Sequence, residues 1–303
     1  MSFRRAFLAV ILLLCSALPV RAEVLEIVTT TPDLADAVRG VGGSRVRVQS
    51  LCVGYQNPHQ VETRPSYLRT LAQADAFIQI GLDLEVAWVP ELLRGSRNSR
   101  IMAGGPGFLD ASRGVRVLEV PRGQVDRTMG DVHPMGNPHY TMDPTNMKIV
   151  ARNVTGFLKR LDPAGAATYD AGYRSYWTAL DTADRRWKAQ MAPFQGVPVV
   201  TWHSTWPYFA AHFGLQVIGH IEPQPGISPS PAHLNRLSAL MKDKKVRIIV
   251  METWFPENVA QAVARRTGAR VLKLPVLPGG VPGTESYVQM MDHVVSNLVE
   301  ALR

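Results

Sequence analysis

Residues 166–191 place Tyr169, Tyr173, Tyr176, Leu180 and Trp187 at three- and four-residue spacing, the period of one long amphipathic helix. At 1.5 Å per residue such a helix spans about 40 Å, too long to be wrapped inside one small α/β unit and well suited to join two. On both sides of it short apolar runs alternate with helical segments. Ahead of it, strands are predicted at 24–28, 46–53, 76–80 and 115–120, and helices from Asp33 through Val38, at 66–74 and at 85–93. Asp143-Pro144 supplies an N-cap and a first-turn proline for a further helix to about Leu161. Behind it come strands at 197–202, 216–220, 246–251 and 269–274, with helices at 206–213, 232–242, 256–267 and 286–302. The alternation predicts an α/β fold of two lobes, each a mainly parallel sheet flanked by helices, joined by one long rigid helix. Ligands of such sheets bind beyond the carboxyl ends of the strands, which puts the site in the interlobe cleft. The expected division is a signal peptide at 1–22, an N-terminal lobe at 23–165, the linking helix at 166–193 and a C-terminal lobe at 194–303.

Arg4 and Arg5, the apolar run 6–18 and the small-residue site Val20-Arg21-Ala22 read as a cleavable export signal, with cleavage near Ala22. The run is shorter than the ~20 residues a membrane span needs, so a periplasmic protein that does not cross the membrane is expected. Cys15 follows Leu14, whereas a lipid-acceptor cysteine follows a small residue. Cleavage leaves Cys52 alone, which excludes an intrachain disulfide and a thiolate zinc cluster. Of 33 Lys and Arg against 25 Asp and Glu, the signal removes Arg4, Arg5 and Arg21. The remaining basic residues are scattered apart from a solvated helix end at Lys242, Lys244 and Lys245, so a nucleic-acid partner is not expected.

Asn-Pro-His occurs twice, at Asn57-Pro58-His59 and Asn137-Pro138-His139, each in a loop, and His203 closes the strand at 197–202. Proline restricts the backbone ahead of each of the first two histidines, which suits a ligand held in place before its metal arrives. With a single cysteine left, a metal site here must use imidazole and carboxylate. His133 lies near His139 and is weighed as an accessory ligand or gate; His212, His220, His233 and His293 read as structural or solvated.

Asn57-Pro-His59 with Glu62, Arg64-Pro65-Ser66 and Gly81-Leu-Asp-Leu-Glu85, then Asn137-Pro-His139-Tyr-Thr-Met-Asp143-Pro144, then Thr201-Trp-His203-Ser with Tyr208-Phe209, resemble in order the motifs of zinc/manganese ABC-transporter solute-binding proteins. The resemblance covers essentially the whole mature chain. It implies two lobes bridged by a long helix, and His59, His139 and His203 as metal ligands. It also implies a monomer that delivers its metal to an ABC-transporter permease. In manganese-type members the third position is often glutamate, so histidine at 203 favours Zn2+, with Mn2+ as the lesser possibility. The family's usual carboxylate after the last strand is missing from Leu274-Pro-Val-Leu-Pro-Gly-Gly280. Glu252, at the end of the strand 246–251, is the expected fourth ligand, with Glu222 and a water as competitors. The alternatives are an exported zinc-dependent hydrolase, with a water on the open position, and a metal-dependent adhesin or metallochaperone. The chain has no His-Glu-x-x-His helix and no Gly-x-Ser-x-Gly elbow, so no enzyme activity is expected.

Overall fold

A computed structural model describes residues 24–123 and 132–303; the expected signal peptide and its cleavage point lie outside them. The chain begins β1 (Leu25–Thr29), α1 (Pro32–Gly42), β2 (Val46–Ser50), α2 (Pro65–Gln73), β3 (Ala76–Gln79), α3 (Val89–Ser96) and β4 (Phe108–Asp110). These strands form a parallel sheet of order β2-β1-β3-β4. α4 (Pro144–Leu161) and α5 (Ala166–Met191) follow. The second half runs β5 (Pro198–Thr201), α6 (Pro207–Phe213), β6 (Gln216–His220), α7 (Pro231–Asp243), β7 (Ile248–Glu252), α8 (Asn258–Thr267), β8 (Arg270–Leu274) and α9 (Tyr287–Leu302). Its sheet repeats the topology as β6-β5-β7-β8, again all parallel.

Local chemistry sets several of these boundaries. Asp143 caps α4 as expected, its carboxylate accepting the Thr145 N–H at 2.7 Å with Pro144 in the first turn. Ser286 and Gln289 form a reciprocal capping box at α9. The expected strand at 115–120 is not paired in the sheet. Its backbone is engaged instead by the Tyr208 hydroxyl, at Leu118 N, and by Asn137 N, at Leu118 O, and the three-residue β4 takes the sheet edge ahead of it. The helix expected from Glu85 starts at Val89. Glu85 turns back into the core, where its carboxylate accepts the Thr30 hydroxyl and the N–H groups of Ile80 and Gly81. Leu82 and Asp83 adopt positive φ to make that turn.

α5 packs against α1, α4 and α9. Its crossing of α1 is close: a Cβ on Gly172 would lie 2.2 Å from the Val41 carbonyl oxygen, which is backbone and cannot swing away. One hydrophobic cluster runs without a break from Ile27 and Leu34 through Tyr169, Leu180 and Trp187 to Phe209, Val250 and Leu298. The long helix is therefore fused into a core shared by both lobes. The carboxyl ends of β2 and β5 face the cleft between them.

Candidate metal centre

Each Asn-Pro-His is a small self-bracing turn. The Asn57 side-chain oxygen accepts the His59 N–H at 3.0 Å, and the Asn137 oxygen accepts the His139 N–H at 2.9 Å. With proline fixing the residue between, the spelling repeats because the geometry does. The Pro58 carbonyl accepts the Trp88 indole N–H at 3.0 Å, which holds the first turn on the N-terminal lobe. The second turn reaches across: Asn137 Nδ2 donates to Glu119 Oε2 at 2.8 Å and to the Ser204 carbonyl at 2.7 Å. His203 leaves the end of β5, its carbonyl accepting the Thr201 hydroxyl at 2.8 Å.

The three rings converge. His139 Nε2 lies 3.2 Å from His59 Nε2 and 3.2 Å from His203 Nε2, and the three ligand atoms all fall within 4.8 Å of one another. Donors at ~2.05 Å around a tetrahedral zinc are about 3.3 Å apart, so both pairs made by His139 are spaced as a metal would space them. All three are buried. Burial first, then the neighbouring imidazoles, holds His59 and His139 well below the usual histidine pKa. Their rings are thus neutral at neutral pH, each with one nitrogen lone pair free, the state that binds metal.

Around this triad the carboxylates take distinct places. Glu222 Oε2 lies 2.8 Å from His203 Nδ1. A carboxylate there accepts the Nδ1 proton and leaves the Nε2 lone pair aimed into the site. Glu252 ends β7 fully buried, its Oε1 accepting the Trp206 indole N–H at 3.1 Å. Its Oε2 is buried without a hydrogen-bond partner, and among the described residues the ligand atoms that lie within 4.8 Å of one another are those of the three histidines. His133 stacks on His59 with ring centroids 5.1 Å apart. It borders two chambers beside the triad, one of about 210 Å³ walled by Glu119, His203 and His220, the other of about 340 Å³ walled by His59, Asp83 and Val86.

Sequence reasoning missed Glu119, which ties Asn137 to Ser204, accepting the Ser204 hydroxyl at 2.7 Å. It sits within the strand expected at 115–120 in a glycine-, proline- and arginine-rich stretch, where nothing local marks it as a residue of the cleft. His212, which reads from sequence as structural or solvated, bridges Asp143 and Asp184 at 2.8 and 2.6 Å; its partners are not legible from its own helix.

Residues 27–301 match the family described as zinc-uptake complex component A, periplasmic (ZnuA). The chain belongs to this family. It is 24% identical to the high-affinity zinc uptake system protein ZnuA of Yersinia pestis over 99% of this chain and 98% of that one. It is 23% identical to the manganese ABC transporter substrate-binding lipoprotein PsaA of Streptococcus anginosus over 92% of this chain and 89% of that one. A crystal structure of ZnuA superimposes with a TM-score of 0.78 at 25% identity, covering 92% of this chain and 99% of that chain. Membership makes the protein a metal-binding solute-binding component of an ABC uptake system, a family that is not enzymatic and that works outside the cytoplasmic membrane. Among the described residues no helix is long and apolar enough to cross a membrane. Relatives named for zinc and for manganese lie at the same distance, so similarity alone does not choose the ion.

Proposed function

We propose that the protein captures Zn2+ in the interlobe cleft on His59, His139 and His203 and hands it to an ABC-transporter permease in the periplasm. The observation that carries this reading is the convergence of three buried imidazoles, with His139 Nε2 3.2 Å from both His59 Nε2 and His203 Nε2 and all three donor atoms within 4.8 Å of one another. An all-imidazole triad suits zinc, whereas manganese sites favour carboxylate and water. Two donors come from the N-terminal lobe and one from the C-terminal lobe, so release accompanies their separation. In this reading a water is the fourth donor, because the group of converging donor atoms comprises the three histidines; Glu252, with Oε1 on Trp206 and Oε2 unpartnered, is its competitor. The nearly equidistant zinc- and manganese-named relatives support metal uptake as the common role.

Almost any nitrogen site binds zinc above manganese in solution, so affinity for purified ions does not separate the two readings. The deciding experiment is growth of a deletion strain. A defect under zinc starvation, repaired by zinc and not by manganese, is expected; a defect repaired only by manganese overturns the zinc reading. Purified protein should take up one zinc per chain.

Glu222→Ala tests the outer partner. Without the carboxylate, His203 is free to rotate and to carry its proton on Nε2. Zinc affinity should fall about 10–100-fold, as for other outer-shell partners of metal-bound histidine, measured by competition against a chelator of known affinity. An unchanged affinity would show that packing alone orients His203.

A further inference from the structure

His212 is gripped from both sides. Its Nδ1 lies 2.8 Å from Asp143 Oδ1 and its Nε2 lies 2.6 Å from Asp184 Oδ1, with the His212 and Asp184 side chains buried and Asp143 partly so. A neutral imidazole carries one N–H, so it can donate to only one of two carboxylates. Both contacts are hydrogen bonds only when the ring is an imidazolium.

The three residues come from three parts of the fold. Asp143 caps α4 and closes the turn that begins at His139. His212 lies on α6, the helix entered directly from the His203 loop. Asp184 lies on α5, the element whose core both lobes share. We propose that His212 is a positioning residue for the metal site: as an imidazolium held between Asp143 and Asp184, it fixes the His139 turn and the His203 loop to the long helix and so sets the spacing of those two donors across the cleft. The inference rests on the assignment of His139 and His203 as ligands.

The surrounding groups leave His212 as the one that changes charge near neutral pH. From α4, Asp143 also accepts the Thr145 N–H at 2.7 Å, and the Thr145 hydroxyl lies 3.5 Å from Nδ1. From α5, Asp184 Oδ2 accepts Lys188 Nζ at 3.1 Å, while Asp181 beside it is paired with Lys148 and Arg185. Tyr208 on α6 and Tyr287 on α9 complete the surroundings, both pushed above the ordinary tyrosine pKa by burial. Phe213 packs on the ring with centroids 4.7 Å apart. Burial lowers the His212 pKa, but hydrogen bonding to Asp143 and Asp184 outweighs it and the net shift is upward. The sign follows: the charged clamp is complete below the ordinary histidine value of ~6.5 and is lost as pH rises through the raised folded-state value. Protonation of the triad weakens metal binding from the other side, as pH falls.

The test has two independent readouts on the full mature chain. Nitrogen-15 NMR of metal-free wild type should show both His212 ring nitrogens protonated at pH 7, and a singly protonated ring overturns the proposal. Zinc affinity, by chelator competition across pH 6–9, should fall about tenfold in His212→Gln, within the range of outer-shell effects, because glutamine's one amide group does not span both carboxylates. Asp184→Asn lets a neutral His212 donate to Asp143 and accept from the amide. It should keep near-wild-type affinity at neutral pH and lose the decline that wild type shows at the alkaline end. A wild-type affinity in His212→Gln, or an alkaline decline that persists in Asp184→Asn, overturns the inference. Failure of wild type to bind zinc overturns the ligand assignment instead and leaves the NMR result standing.

Discussion

His203→Ala lowers zinc affinity by more than about 100-fold, since even outer partners of a ligating histidine are worth 10–100-fold and this change removes a donor outright. The remaining pair, His59 and His139, both sit on loops of the N-terminal half, 3.2 Å apart, and form a two-coordinate site open to water. The loss is therefore twofold in kind: one donor fewer, and no donor from the second lobe. His59→Ala and His139→Ala should match it in affinity but keep a ligand on each side of the cleft. Thermal unfolding gives a second readout of the loss. In wild type, zinc at roughly 1,000 times its Kd adds about 4 kcal/mol to the folded state, seen as a large rise in Tm. In His203→Ala a site about 100-fold weaker or worse keeps at most ~1.4 kcal/mol at the same zinc concentration, so the rise should shrink to a third or less. An affinity within threefold of wild type would falsify the triad.

Much of this arrangement could be read from residues alone, and what was hidden was hidden for identifiable reasons. The alternating apolar runs fix two parallel sheets, and the two Asn-Pro-His turns stand out because asparagine, proline and histidine each have a local task within three residues. β4 is invisible because three residues carry no usable period. Residues 85–88 look like a helix start, yet Glu85 is drawn inward to satisfy the amides of Ile80 and Gly81, a long-range need that propensity does not encode. Glu222 and Glu252 are both acids that follow a strand toward the cleft, and nothing local says which one meets His203. The answer depends on strand order: β6 lies on the outside of β5 and β7 lies between β5 and β8, and it is Glu222, beyond β6, that reaches the far nitrogen of His203. The His212 clamp joins residues far apart in sequence, and each of them alone reads as an ordinary helix residue.

Glu252→Gln stabilises the metal-free protein at alkaline pH. Glu252 is fully buried, and burial pushes its carboxyl up to about 7, against smaller opposing effects from His203 and Thr205. A carboxyl raised in the folded state keeps its proton there while the unfolded chain, near the ordinary glutamate value, has lost it. Stability from this group is thus fully present below ~4.3, falls as pH rises through the folded value of about 7, and is flat beyond. Over that window the loss is about 3–4 kcal/mol, large against the 5–15 kcal/mol typical of a whole domain. Glutamine removes the titration. Its oxygen can still accept the Trp206 indole N–H, and its amide can donate toward the Thr205 hydroxyl, which is itself buried. Urea unfolding of metal-free protein should show Glu252→Gln more stable than wild type by about 2–3 kcal/mol at pH 8, with the gap closing toward pH 5. With a water rather than Glu252 as fourth donor to the histidine triad, the same variant should bind zinc within threefold of wild type. A large loss of zinc affinity would instead return Glu252 to the site as the fourth ligand, while a pH-independent stability difference would mean that its carboxyl is not raised at all.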